Sequence, residues 1–153
     1  MTLLFTNVFA DDPIKIMLYG DSLMAGYGLS QQENLTSQLT RSFKDNEPPI
    51  KFINASISGN TSKNGLSRVE WSLEDNPRIV ILCLGANDML RGLDPDLTSN
   101  NLDLIISKFI KNNSVIVLAG MKSPESMGKK YQLEFDGLYP KLSEKYSLIL
   151  MPF

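Results

Sequence analysis

The 153-residue sequence contains no histidine and a single cysteine, Cys83. Without an imidazole, these residues hold neither a histidine base working near neutral pH nor a Cys₂His₂ or His₃ metal site. One cysteine excludes an intramolecular disulfide and a thiolate metal cluster. An excess of charge of one sign is also lacking: 15 basic residues face 17 acidic ones, for a formal net charge of -2. Such a balance gives no basic field for nucleic acid and no polybasic membrane patch. No apolar run approaches the roughly 18 residues of a membrane-spanning helix. What is present is core material. Apolar residues make up 42% and charged residues 21%, which suits one folded domain and argues against disorder.

The two ends carry their own expectations. Residues 3–10 read Leu-Leu-Phe-Thr-Asn-Val-Phe-Ala and precede Asp11-Asp12-Pro13. An apolar stretch closing on Val8-x-Ala10 is similar to the tail of a secretory signal peptide, without a positively charged leader in front of it. Residues 1–10 are therefore expected to be a signal-peptide remnant and 11–153 one domain of a periplasmic or secreted protein. An N-terminal arm or first helix is the plainer alternative. At the other end, Tyr146–Met151 reads as a buried strand just before Phe153. The crevice beyond the strand ends is where open α/β sheets place ligand loops, and a loop there is expected to be missing.

Five short apolar runs have strand length: Ile14–Tyr19, Ile50–Ala55, Ile79–Leu84, Val115–Ala119 and Ser147–Met151. Continuous runs, as opposed to strict alternation, suit parallel strands covered on both faces. Helical spacing separates them. Ser30-Gln-Gln-Glu33 has the spacing of a capping box, followed by Leu35, Leu39 and Phe43 on one face, and the segment Asn46–Pro49 stops that helix. Leu66, Val69 and Leu73 mark a second helix. Thr98 is placed to cap a third, with Leu102, Ile105, Ile106 and Phe109 as its stripe. A fourth covers about Met127–Tyr146, its interior weakened or kinked by Gly137 and Pro140. The pattern predicts an α/β fold with a parallel sheet.

Three polar segments sit at the carboxyl ends of successive predicted strands, the edge where such sheets build their sites. The first is Gly20-Asp21-Ser22-Leu23. A hydroxyl at this junction can be offered to a substrate, and a helix starting there supplies backbone N–H groups for developing negative charge. The alternative is a tight turn with Ser22 as cap, and Asp21 has an equally plain role in binding the turn backbone. The second is Asn54-Ala-Ser-Ile-Ser-Gly59-Asn60-Thr61, where Gly59 offers an unobstructed N–H or the loop is an ordinary turn capped by Thr61 or Ser62. The third is Gly85-Ala86-Asn87-Asp88. Asn87 can donate its amide to an oxyanion, Asp88 can accept backbone N–H groups, and both are also common turn formers. Cys83 reads as core. Trp71 and Tyr27 are candidates for a pocket wall or for packing. Arg91 is a candidate for supporting the site loop, for meeting an anionic substrate group or for a solvated surface position.

In order and spacing, these three blocks resemble those of the GDSL, or SGNH, serine esterases and lipases. The likeness is closest to the bacterial periplasmic acyl-thioesterase, lysophospholipase and arylesterase group, where Leu90-Arg91-Gly92 also matches. The resemblance runs from about residue 14 to the end. It implies a flavodoxin-like three-layer α/β/α sandwich with a five-stranded parallel sheet in the order 2-1-3-4-5. It implies Ser22 as nucleophile, with an oxyanion hole from the Ser22 N–H, the Gly59 N–H and the Asn87 side chain. Asp21 and Asp88 fall in the blocks as supporting residues. No metal or organic cofactor is implied, and the partner is a small acyl ester or thioester. One departure stands out: the family's base lies in an Asp-x-x-His segment after the fifth strand, and no residue here matches either member. The last loop and helix of the fold are expected to be absent, and the chain to be nearly inactive by itself. A catalytically impaired binder of acyl groups or carbohydrate esters is the alternative. A nucleotide- or flavin-binding flavodoxin-like protein is a third reading, and it lacks a P-loop or dinucleotide fingerprint.

Overall fold

The branched aliphatic runs pair side by side into one parallel sheet of five strands: β1 (Ile14–Gly20), β2 (Ile50–Asn54), β3 (Ile79–Cys83), β4 (Val115–Ala119) and β5 (Ile149–Met151), in a computed structural model that describes residues 12–153. The order is β2-β1-β3-β4-β5, as the resemblance implies. The leader-like residues 1–10 lie outside the described residues. Chain progression reverses between β1 and β3, which are paired from Ile16↔Ile79 to Gly20↔Cys83. Their carboxyl ends therefore open the crevice at which doubly wound sheets bind ligands.

Helices α1 (Ser22–Ala25), α2 (Leu35–Ser42), α3 (Ser62–Leu73), α4 (Ala86–Leu90), α5 (Pro95–Lys111) and α6 (Lys129–Tyr146) fill the connections. Register places Met17, Tyr19, Val80, Leu82, Ile116 and Leu118 on one sheet face, and each of them is essentially inaccessible. Helices α3, α5 and α6 cover that face. The Tyr19 ring meets Phe109 edge-on at 5.2 Å, and its hydroxyl donates to the Gly65 carbonyl at 2.6 Å. Gly65 is needed for this approach, because a Cβ there would stand 2.4 Å from Leu84 Cδ1.

The opposite face is covered unevenly. Over β2, α2 packs through Phe43 on Phe52, with ring centroids 5.7 Å apart. Farther along the same face, Val115, Ile149 and Met151 are 52%, 59% and 49% exposed. Among the described residues, the third layer is thus built over the β2–β1 side and leaves β4–β5 open. No described helix is long and apolar enough to cross a membrane.

Two helix starts differ from the expected ones. Ser30 and Glu33 do bond each other, Oγ to Oε2 at 2.7 Å, but they close an isolated turn. Helix α2 begins later, with Asn34 accepting from the Ser37 N–H. Helix α5 begins at Pro95 with Asp94 as its cap, so Thr98 lies inside it. The proline at the first helical position is the stronger start signal, since its missing N–H costs nothing there. Helix α6 runs unbroken through Gly137 and Pro140. Its buried face of Phe135, Leu138, Tyr139 and Leu142 outweighs the local propensity penalty.

Candidate functional site

The first block is a strand-to-helix turn held from below. Gly20 ends β1 so close to β3 that a Cβ would lie 2.7 Å from the Cys83 carbonyl oxygen. Asp21, not Ser22, caps α1: its Oδ1 accepts the Leu23 N–H at 3.1 Å. Ser22 opens the helix at the carboxyl end of β1 and is partly exposed. Asp21 itself is fully buried, and its Oδ2 has no hydrogen-bond partner. Burial raises its pKa above the ordinary carboxylate value, with the Asp88 charge adding to the rise and the Leu23 N–H opposing it.

The sign of that shift makes a prediction. A carboxyl whose folded pKa exceeds its unfolded pKa stabilises the fold most below the unfolded value, and the contribution is lost as pH rises through the folded one. Asp21→Asn keeps a cap acceptor and removes the buried charge. Its melting temperature is expected to exceed the parent's at pH 7, with the gap closing toward pH 3. Calorimetry across that range checks this, and a gap that widens on acidification would contradict it.

The second block folds back on the first. The Ile57 N–H donates to the Gly20 carbonyl at 3.1 Å, and Ser56 Oγ to the Leu18 carbonyl at 2.9 Å. Gly59 has φ +80, with open space where a Cβ would stand. Backbone conformation, not crowding, calls for glycine there. Thr61 caps α3 and forms a capping box with Asn64.

The third block bonds to the second. Asn87 Nδ2 donates to the Asn60 carbonyl at 3.0 Å. A primary amide has two N–H hydrogens, so fixing one orients the other. Asp88 is 2% exposed; its Oδ2 accepts the Ser62 N–H at 2.8 Å and its Oδ1 the Ser62 hydroxyl at 2.6 Å. Thus Asp88 anchors the start of α3 rather than its own loop alone. Arg91 Nη2 donates to the Gly59 carbonyl at 3.0 Å, which is the loop-supporting role among its alternatives. Behind the site, Tyr139 donates to the Leu84 carbonyl at 3.0 Å.

The remaining candidates stand apart. Cys83 belongs to the buried core, and burial pushes its thiol up to about 12, far from a reactive thiolate. Trp71 and Tyr27 are 78% and 80% exposed and serve neither as core nor as an enclosed wall. Arg68 lies outside the three sequence blocks, yet it helps tie them together, with Asn60 of the second block and Ser62 just after it bonding to Arg68, Asn87 and Asp88. One signal was available for Arg68: it sits on α3 in the buried stripe of Gly65, Val69 and Ser72, an unusual place for an unpaired-looking cation.

A five-stranded sheet with these three blocks at its switch point is the architecture of an acyl hydrolase, and comparison with known proteins agrees. Residues 18–151 match the GDSL-like Lipase/Acylhydrolase family. The chain is 37% identical over 140 residues to an arylesterase of Vibrio mimicus, covering 91% of this chain and 70% of that protein. It is 34% identical over 139 residues to thioesterase 1/protease 1/lysophospholipase L1 of Escherichia coli strain K12, covering 90% of this chain and 65% of that protein. Among solved structures, AlinE4, an SGNH-hydrolase family esterase, superposes with a TM-score of 0.86 at 39% identity, over 92% of this chain and 76% of that one. The chain belongs to the GDSL-like lipase/acylhydrolase family.

Proposed function

We propose that Ser22 is the nucleophile of an acyl transfer on carboxylic esters or thioesters. Its Oγ adds to the acyl carbonyl carbon, and its proton leaves to a base. The Ser22 N–H, the Gly59 N–H and the free hydrogen of the Asn87 amide receive the negative charge that develops on the carbonyl oxygen. Collapse expels the alcohol or thiol and leaves an acyl-Ser22 ester, which water then hydrolyses. Donors aimed at charge that exists only in the transition state accelerate the reaction without tightening the ground state.

The observation that carries this reading is the Asn87 amide, held by the Asn60 carbonyl at the same sheet edge, where β1 and β3 pair up to Gly20↔Cys83, as a partly exposed Ser22 at the start of α1. The 153 residues include no histidine, so turnover by this chain alone is low. That lack favours one second reading, in which the same residues bind an acyl or carbohydrate ester without hydrolysing it. The apolar leader-like residues 3–10 support export.

An aryl fluorophosphonate in imidazole buffer separates the two readings. One adduct, mapped by peptide mass to Ser22 and absent from Ser22→Ala, is the expected result. A chain that stays unmodified while binding the ester would favour the binder.

A further inference from the structure

Arg68 lies within α3, half-buried, and three of its N–H groups reach three acceptors on two segments, the end of β1 and the loop after β2. Nη1 donates to the Ala55 carbonyl at 2.5 Å, Nη2 to the Gly20 carbonyl at 3.1 Å, and Nε to Asn60 Oδ1 at 2.9 Å. The guanidinium carbon stands 4.0 Å from the Tyr19 ring centroid. None of the salt bridges among the described residues includes Arg68. Its partners are neutral oxygens and an aromatic face, not a carboxylate.

The acceptors adjoin the first block and both ends of the second. Gly20 immediately precedes Asp21-Ser22. Ala55 follows β2. Asn60 follows Gly59, and its own carbonyl accepts the Asn87 amide. One rigid cation thus spans the nucleophile turn and the Gly59 loop directly and reaches Asn87 through Asn60. A planar fork with fixed donor directions can hold three acceptors at set separations, which a lysine ammonium on a flexible stem cannot.

We propose that Arg68 is a positioning residue that sets the Gly59 N–H and the Asn87 amide in register with Ser22. The proposal rests on the acyl-transfer reading of those three residues. Arg68 touches no reacting atom and acts through Gly20, Ala55 and Asn60.

Arg68→Lys, Arg68→Gln and Asn60→Ala in the 153-residue chain test it with two readouts. In imidazole-supported hydrolysis of an aryl ester, kcat is expected to fall up to about 10²-fold for both Arg68 variants, the scale of a misplacement of about 1 Å. KM should change little, since loss confined to the transition state leaves ground-state binding alone. In ¹H–¹⁵N spectra, the Asn87 side-chain hydrogen bonded to Asn60 should exchange slowly in the parent and faster in the variants. Asn60→Ala keeps the Arg68–Tyr19 stack and decides the matter if the Arg68 variants do not fold. Full activity in Arg68→Lys, a change in KM alone, or an unaltered Asn87 signature in folded variants would overturn the proposal. The Asn87 readout needs no turnover. If the parent shows no imidazole-supported hydrolysis, the acyl-transfer reading fails while the spectra still judge the clamp.

Discussion

Appending a segment that carries an Asp-x-x-His pair after Phe153 is expected to raise aryl-ester turnover by about 10²- to 10⁴-fold, the usual contribution of a positioned general base. The reason lies in what the 153 residues hold and lack. A serine hydroxyl is a weak nucleophile until a neighbouring base takes its proton as it attacks. Two carboxylates belong to the blocks, but Asp88 has both oxygens committed to Ser62, and Asp21 caps α1 with one oxygen while the other is buried. Oxyanion donors alone preserve part of the acceleration, as in serine proteases stripped of a triad member. The unextended chain is therefore expected to be slow, not inert. The open face over β4–β5 leaves room for the added segment to pack. Ser22→Ala in the extended chain should return turnover to the baseline. Equal turnover with and without the segment, in two folded chains, would count against the assignment.

With Asn87 in its proposed oxyanion role, Asn87→Ala is expected to lower kcat of the extended chain by about 10²- to 10³-fold, the cost of deleting one such donor. KM should be nearly unchanged, because the donor acts on charge that the ground state does not carry. Stability should suffer less. The deletion leaves the Asn60 carbonyl without its partner, a loss of about 1 kcal/mol for a neutral hydrogen bond at a partly solvated site. Asn87→Asp is the sharper variant. It keeps the shape and replaces a donor by an acceptor facing both Asn60 and the developing oxyanion, so its kcat should be no higher than that of Asn87→Ala. Steady-state kinetics beside urea denaturation separate the two effects. A variant with parental kcat and reduced stability would make Asn87 a structural residue only.

Much of this arrangement can be read in the amino-acid order, for identifiable reasons. β3 spans Ile79–Cys83 of the apolar run Ile79–Leu84, because a strand buried among parallel neighbours needs apolar residues at every position. Gly20 and Gly85 punctuate the strand ends where backbone crowding or positive φ demands them. The strand order is legible only through the family resemblance; hydrophobic periodicity contains no information about which strands become neighbours. The Ser30–Glu33 pair does not mark the start of α2, because such a pair satisfies itself locally whether or not a helix follows. The continuity of α6 through Pro140 depends on tertiary packing that a propensity scale omits. Arg68 was hidden for a deeper reason. Its three acceptors, Gly20, Ala55 and Asn60, are brought together only after β1 and β2 have paired, and two of them are backbone carbonyls, which every residue possesses.

The most direct test of Ser22 as nucleophile is an imidazole titration of aryl-ester hydrolysis by the 153-residue chain and its Ser22→Ala variant. Free imidazole hydrolyses the ester by itself, so the Ser22→Ala line measures that background. The predicted result is a parent rate that climbs above this line as imidazole takes the proton of Ser22. Superimposable titrations from two equally folded proteins would contradict it.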